Sequence, residues 1–314
     1  MTKSRRAVID VGTNSVKLLV ADVEGREVRP VWEESTQTRL GSGFYESRRL
    51  QPEPVARTAA AAAQFAGVAR RHGADSVSII ATSAAREALN AAELIAAIET
   101  AARLPVRVLT GDEEAEWVFR GVTTDPGLAD RPLLLLDVGG GSTEFIVGRG
   151  TDLQFRTSVP LGTVRLLESL RPADPPGGAG LGAARDWVRD FLTRQVQPLL
   201  DPALRAAEQA GPKLSLVGTG GSTTLLARMQ TGMLDFDRAR IEATRLSLAD
   251  IRRQVEHLWS LPLEARRRVL GLPPNRADVI LTGVVIYEAI LGQFDFQELR
   301  VSTRGLRFAA VLPG

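Results

Sequence analysis

Two short glycine-containing segments carry the residue types that phosphate binding requires. Residues 10–15 read Asp-Val-Gly-Thr-Asn-Ser, and residues 137–142 read Asp-Val-Gly-Gly-Gly-Ser. Glycine allows an anion to approach the main chain closely, and consecutive amide groups in a tight turn can converge on phosphate oxygens. The serine adds a hydroxyl donor and the leading aspartate a carboxylate. Together the segments predict two phosphate-binding turns, whereas either one alone would be interpreted as a plain β-hairpin.

The two segments belong to a longer internal repeat. Residues 10–20 align without gaps with residues 137–147, at an offset of 127 positions. Each copy reads as a strand, a polar glycine turn and a second strand. A unit repeated at domain-length spacing predicts two similar α/β domains whose turns face each other across a cleft and hold a phosphoanhydride from both sides. Chance similarity of two hairpins is the alternative.

A third glycine run, residues 218–222, leads from a strand into a helix, whose N-terminal amides favour an anion. This run could hold a nucleoside or be a tight strand-to-helix turn. Two common nucleotide motifs are absent from the sequence: there is no Gly-x-x-x-x-Gly-Lys-Ser/Thr, and no Gly-x-Gly-x-x-Gly follows a strand and opens a helix. A P-loop NTPase and a Rossmann dehydrogenase are therefore excluded.

The elements that must position these turns are strands alternating with helices. The helix that follows residue 111 has Asp112 as its predicted N-cap, and residues 172–182, rich in proline and glycine, predict a loop. Residues 123–132 are polar, with two prolines and a glycine, and predict the link between two domains. We expect domain I at residues 1–124, with 303–314 packing back on it, and domain II at 125–302.

Composition agrees with an ordinary globular enzyme of two domains, since 314 residues exceed what one hydrophobic core usually fills. Cysteine is absent, which excludes disulfides and thiolate metal sites. Neither a signal peptide nor an apolar run of about 20 residues occurs, and these features predict a cytoplasmic protein without a membrane partner. The net charge of +2 does not favour nucleic-acid binding. Only three of the 39 basic residues are lysines; arginine suits phosphate oxygens, although a GC-rich genome gives the same bias.

The chain resembles the exopolyphosphatase/guanosine-pentaphosphate phosphohydrolase (Ppx/GppA) family over nearly its whole length. Six motifs stand in the family's order: residues 10–15, 81–86, 111–115, 137–144, 160–165 and 301–307. The resemblance implies an α/β fold of two actin-like, ribonuclease H-like domains around a central cleft, in the acetate kinase–sugar kinase–Hsp70–actin superfold. It is closest to the short two-domain form without an HD-type C-terminal extension. The sequence departs from the family at Phe308, where an acidic residue is common.

The resemblance also implies roles for individual residues. Glu114 matches the general base for the attacking water, and Arg86 matches an arginine that contacts phosphate. Asp137 and Glu144, with Asp10 at the equivalent place in the first turn, match acidic residues that hold a divalent metal, Mg²⁺ or Mn²⁺. The other implied phosphate contacts are Gly12, Thr13, Asn14, Ser15, Gly139, Gly140, Gly141, Ser142 and Thr143.

Local alternatives exist for two of these residues. Glu113 and Glu114 lie in a first helical turn, where acids also oppose the helix macrodipole. Arg86 could instead pair with Glu87 or Glu93.

For the activity, the resemblance implies an exopolyphosphatase that releases terminal orthophosphate from linear polyphosphate through in-line attack of water. Without the extension, shorter chains are the expected substrates. Hydrolysis of guanosine pentaphosphate, an ATPase or kinase of the same superfold and a non-catalytic sensor are the alternatives. The expected partner is polyphosphate or a phosphorylated guanosine nucleotide, and a homodimer is left open.

Overall fold

A computed structural model describes residues 3–211 and 213–313, and the chain divides into two compact units. Unit 1 is the chain as far as Pro126 together with the segment from Arg304 onwards. Unit 2 is Gly127–Thr303.

The described residues form strands and helices throughout both units. The strands are β1 Ser4–Val11, β2 Ser15–Glu24, β3 Glu27–Gln37, β4 Ser76–Ala81, β5 Val106–Val108, β6 Leu133–Val138, β7 Thr143–Arg149, β8 Asp152–Val159, β9 Ser215–Thr219, β10 Arg245–Ser247 and β11 Glu298–Val301. The helices are α1 Phe44–Ser47, α2 Pro52–Arg71, α3 Ser83–Glu87, α4 Ala91–Ala102, α5 Gly111–Val122, α6 Pro126–Ala129, α7 Thr163–Leu170, α8 Gly177–Phe191, α9 Gln197–Ala210, α10 Gly220–Thr231, α11 Arg238–Ala243, α12 Leu248–Ser260, α13 Leu263–Arg266, α14 Ile280–Gln293 and α15 Leu306–Ala310. A π-helical turn, Leu192–Val196, joins α8 to α9, and Pro274–Arg276 is a 3₁₀ turn.

Both units contain a mixed sheet with the same strand order. In unit 1 the order is β3-β2-β1-β4-β5; β1 to β3 form an antiparallel meander, and β4 and β5 run parallel to β1. In unit 2 the equivalent strands are β8-β7-β6-β9-β11, and β10 adds an antiparallel edge strand. The predicted α/β fold of two similar halves is therefore confirmed.

Each sheet is covered by its own hydrophobic core. The four leucines 133–136 of β6 are completely buried, as expected for a central strand packed on both faces. In unit 1, Val8 and Ile9 of β1 are completely buried in the same way.

The loop predicted at residues 172–182 is shorter than expected, because α8 begins at Gly177. Leu181 is buried in the core of unit 2, and Gly180 packs beside the Trp259 ring. Tertiary packing thus overrides the low helix propensity of four closely spaced glycines.

The segment from residue 304 returns to unit 1 and packs on α5. At Gly121 of α5, a Cβ atom would lie 1.9 Å from the Gly305 carbonyl oxygen. The Arg304 guanidinium donates to the carbonyl and hydroxyl oxygens of Thr124 at 3.1 and 3.0 Å. The approach of α15 to α5 is therefore so close that it requires glycine at position 121.

Gly121→Ala is expected to lower the free energy of unfolding by about 1–3 kcal/mol or more, because the new methyl group must displace backbone atoms. Urea denaturation followed by circular dichroism would measure the change. Gly67→Ala in α2 is the matched control, since a Cβ there meets only the end of the Arg71 side chain at 3.5 Å. That control should be neutral or stabilising by up to about 1 kcal/mol. Equal stability losses in the two variants would contradict the interpretation.

Candidate functional site

The two glycine turns share one backbone hydrogen bond and one close approach. In the first, the Gly12 amide donates to the Ser15 carbonyl oxygen at 3.0 Å, and in the second, the Gly139 amide donates to that of Ser142 at 3.0 Å. A Cβ atom on either glycine would lie 3.2 Å from the same carbonyl oxygen. The internal repeat seen in the sequence is thus a structural repeat of one tight turn.

The polar side chains of the first turn are buried in unit 1. Thr13, Asn14 and Ser15 are each less than a tenth exposed. The Gln37 amide donates to the Asn14 side-chain oxygen at 3.1 Å. The Ser15 hydroxyl makes no hydrogen bond to any part of the chain that the structure describes. A buried hydroxyl left unpaired costs about 1–3 kcal/mol, and a phosphate oxygen or a water molecule would satisfy it.

Backbone hydrogen bonds from the first residues of α7 stabilise the second turn. The Thr163 amide donates to the Gly139 carbonyl oxygen at 2.9 Å, and the Val164 amide donates to that of Gly140 at 2.9 Å. A Cβ atom on Gly162 would lie 2.4 Å from the Gly140 oxygen. Residues 160–165, which the sequence presented only as a family motif, therefore have a clear physical role as the support of the second turn.

Arg86 and Glu114 lie at the same edge of the sheet of unit 1 as the first turn. Strands β1, β4 and β5 are parallel, and Val11, Ala81 and Val108 at their carboxyl ends are register partners. The first turn, α3 with Arg86 and α5 with Glu114 follow these strand ends. Ligands of open α/β sheets bind outside the carboxyl ends of the strands.

Arg86 and Glu114 form an ion pair. The Arg86 guanidinium donates to Glu114 Oε2 at 3.0 Å and to the Leu109 carbonyl oxygen at 2.9 Å. Glu114 is buried, whereas Glu87 accepts from Ser83 at 2.9 Å. The structure therefore joins the predicted base to the predicted phosphate ligand, and Glu93, one of the two alternative partners, pairs with Arg49.

The N-cap of α5 is Thr110, and the prediction of Asp112 is wrong. The Thr110 hydroxyl accepts from the Glu113 amide at 3.2 Å, and the Glu113 carboxylate accepts from the Thr110 amide at 2.8 Å. This capping box, with Arg107, holds the pKa of Glu113 below its usual value. Thr110 lies two residues after the end of β5, so the helix begins two residues earlier than an Asp112 N-cap would allow. Glu113 thus caps the helix, which leaves Glu114 available for other chemistry.

Asp10 has a basic partner that sequence reasoning missed. Lys17 lies directly opposite Asp10 in the β1–β2 pair. Burial raises the pKa of the Asp10 carboxyl above its usual value, and the charges of Lys17 and Arg307 act in the opposite direction. Arg307 also donates to the Leu18 carbonyl oxygen at 2.9 Å. The repeat contained a signal for Lys17, because its counterpart in the second copy is the acidic Glu144.

Asp137 and Glu144 occupy one face of the second sheet, since they are directly opposite in the antiparallel β6–β7 pair. Glu144 is buried, and the Ser158 hydroxyl donates to its Oε1 at 2.7 Å. Within residues 3–211 and 213–313, no group of three or more metal-binding side chains gathers in one place. Two carboxylates nevertheless fit a magnesium-like ion, which is usually held by one or two carboxylates together with water and substrate phosphates.

The third glycine run forms the turn between β9 and α10, where it packs beside Asp137. Gly220 has a left-handed backbone with φ +84°, and a Cβ atom there would lie 2.3 Å from Asp137 Oδ1. The Ser222 hydroxyl donates to the Val138 carbonyl oxygen at 3.2 Å. This run therefore positions the predicted metal ligand; its predicted role in holding a nucleoside stays a prediction.

Helix α14 provides a second set of supporting residues that sequence reasoning missed. The Thr282 hydroxyl donates to the Thr163 carbonyl oxygen at 2.7 Å. The Tyr287 hydroxyl shares a hydrogen bond with Thr223, and burial raises the pKa of Tyr287. These buried polar groups lie behind the second turn and tie it to the core of unit 2.

Gly220→Ala is expected to lower metal affinity or metal-dependent activity by about 10–100-fold, the usual effect of disturbing a residue that orients a metal ligand. The methyl group would be strained at this backbone angle and would push Asp137 aside. Gly221→Ala, with no atom within 4 Å of its Cβ, is the matched control. A metal titration of both variants by phosphate release would check the prediction, and equal curves would contradict it.

Comparison with known proteins gives consistent matches. The sequence profile of the Ppx/GppA phosphatase family matches residues 19–311. Exopolyphosphatase 2 of Mycobacterium tuberculosis is 35% identical over 299 residues, which cover 92% of this chain and 91% of the relative. Exopolyphosphatase 1 of the same organism is 26% identical over 98% of this chain and 87% of its own length.

Solved structures agree. An exopolyphosphatase from Cytophaga hutchinsonii superimposes with a TM-score of 0.84 at 27% identity, covering 98% of this chain and 96% of that one. The Aquifex aeolicus PPX-GPPA enzyme gives a TM-score of 0.77 at 27% identity, over 98% and 99% of the two chains. No helix in the described part of the chain is long and apolar enough to cross a membrane.

Proposed function

Because the chain belongs to the Ppx/GppA phosphatase family, we propose that it is an exopolyphosphatase, which releases terminal orthophosphate from linear inorganic polyphosphate. The family match confirms the resemblance predicted from the six motifs. Relatives that cover nearly the whole chain are named exopolyphosphatases, and this favours polyphosphate over guanosine pentaphosphate as the substrate.

The observation that carries the proposal is the Glu114–Arg86 ion pair beside the first glycine turn. In the proposed reaction, a water oxygen attacks the terminal phosphorus, its proton passes to a Glu114 carboxylate oxygen, and the bond to the bridging oxygen breaks. Arg86 would orient the carboxylate through its hydrogen bond and neutralise charge on a phosphoryl oxygen. Positioning and charge stabilisation of this kind supply most of the catalysis in phosphoryl transfer.

Asp137 and Glu144 would hold the divalent metal on which enzymes of this family generally depend. We propose Mg²⁺ or Mn²⁺, because both prefer oxygen ligands; the ion would neutralise charge on the leaving and transferred phosphate oxygens. Asp10 stays a predicted ligand; the charges of Lys17 and Arg307 favour its ionised form, although burial disfavours it. The glycines, Thr143 and the hydroxyls of the two turns would contact the phosphates.

A substrate panel tests the function directly. Phosphate release should be fastest from polyphosphate when short and long polyphosphate, guanosine pentaphosphate and ATP are compared with Mg²⁺ and with Mn²⁺. Faster release from guanosine pentaphosphate would support the pentaphosphate phosphohydrolase instead. If ATP is the only compound of the panel that is hydrolysed, the protein is an ATPase. If ATP is consumed only when a phosphate acceptor is added, it is a kinase.

We further propose a cytoplasmic location, since polyphosphate and guanosine nucleotides are cytoplasmic substrates; cell fractionation would test it. A homodimer stays a prediction, which light scattering coupled to gel filtration would decide.

A further inference from the structure

Three backbone hydrogen bonds join a short segment of unit 1 to the first glycine turn. The Thr38 and Arg39 amides both donate to the Asn14 carbonyl oxygen, at 3.2 and 3.0 Å, and the Gly41 amide donates to that of Thr13 at 2.7 Å. We call residues 38–51 the arginine segment, because it contains three arginines and a single acidic residue, Glu46.

Two arginines of this segment have a left-handed backbone, Arg39 at φ 52° and Arg48 at φ 55°. This conformation costs a residue with a side chain roughly 1–2 kcal/mol. Hydrogen bonds hold Arg48 there, since its amide donates to the Phe44 carbonyl oxygen at 2.7 Å and its own carbonyl accepts from Leu89 at 3.0 Å. Arg48 is the C-cap of α1, and this conformation is common where a helix ends.

The bond to Leu89 also places Arg48 next to the chain that follows Arg86 and its helix α3. Arg39, Arg48 and Arg49 are all exposed, and Arg49 lies 3.6 Å from the equally exposed Glu93. Arg39 therefore adjoins the first turn through its backbone, and Arg48 adjoins the chain that follows the predicted phosphate ligand Arg86. A guanidinium fork matches phosphate oxygens, and a row of them suits a ligand with repeated charges.

We propose that the arginine segment is a subsite for the polyphosphate chain, which binds phosphates beyond those at the first turn. This inference rests on the proposed function. A linear polyanion fits the segment better than a nucleoside does, because exposed arginines provide charge and hydrogen-bond donors but no apolar pocket for a base. The subsite would favour longer chains over tripolyphosphate, contrary to the preference for short chains expected from the sequence.

Replacement of Arg48 by glycine separates binding from folding. Arg48→Gly relieves the left-handed strain, so the melting temperature should stay equal or rise. The ratio of kcat/KM for long-chain polyphosphate to that for tripolyphosphate should fall roughly tenfold, the effect of losing one charged hydrogen bond. The affinity of this variant for polyphosphate should also fall less steeply than that of the wild type as the salt concentration rises. Arg48→Lys, which keeps the charge, should recover most of the ratio.

Arg103→Gly is the matched control. Arg103 is also exposed and left-handed, with φ 55°, but it ends α4 before the amino end of β5, at the opposite edge of the sheet. It should gain the same stability and keep the wild-type substrate ratio.

Two results would overturn the inference: an unchanged ratio in Arg48→Gly, or an equal fall in Arg103→Gly. If the wild-type protein releases no phosphate from any polyphosphate, the proposed function fails, and the subsite fails with it.

Discussion

Glu114→Gln is expected to lower phosphate release from polyphosphate by about 10²–10⁴-fold, the usual contribution of a general base. The amide is nearly the same shape and its oxygen can still accept the Arg86 hydrogen bond, so polyphosphate binding should change little. Single-turnover phosphate release and equilibrium binding of a labelled chain would measure the two effects separately.

Glu113→Gln is the control for that experiment, since Glu113 lies in the same helical turn and acts in the capping box. Gln also forms a capping box at this position, so this variant should lose little stability and keep turnover close to normal. Normal turnover in Glu114→Gln would reject Glu114 as the base.

Asp137→Ala should reduce activity on the order of 10²–10³-fold at a fixed metal concentration, because loss of a ligand removes about 3–4 kcal/mol of charge stabilisation. Part of the activity should return at high Mg²⁺ or Mn²⁺. Metal titrations followed by phosphate release would measure both effects, and Asp10→Asn in the same series would test the third predicted ligand.

Asp152→Ala provides a matched control for Asp137→Ala, since Asp152 is an exposed aspartate in the same sheet. Its metal dependence should equal that of the wild type. An unchanged titration for Asp137→Ala would reject Asp137 as a metal ligand.

Features encoded within a short stretch of chain could be predicted from the sequence. The glycine turns, the strands beside them and the duplicated pattern are set by local residue types, and both turns have the same glycine-to-serine backbone hydrogen bond. The position of a helix N-terminus is harder to predict, because Thr110 and Asp112 are both good caps and only the end of β5 decides between them.

Contacts between residues far apart in the chain could not be predicted from the sequence. Thr282 bonds to Thr163 across 119 positions, and nothing in the spacing of either residue indicates the other. The Arg86–Glu114 pair was missed for the same reason, although both residues were predicted separately. Lys17 was overlooked because the repeat was interpreted for its similarity, whereas the informative position is one where its two copies differ in charge.

The order of the chain also has a consequence for biosynthesis. Unit 2 is one continuous stretch, but unit 1 needs the residues after 303, which reach α5 at the glycine contact. On the ribosome, unit 2 can therefore complete its core before unit 1 does. Until the residues after 303 are synthesised, the face of α5 that they cover stays exposed in unit 1. Chaperones would be expected to bind this nascent intermediate, in contrast to the usual N-to-C sequence of domain folding.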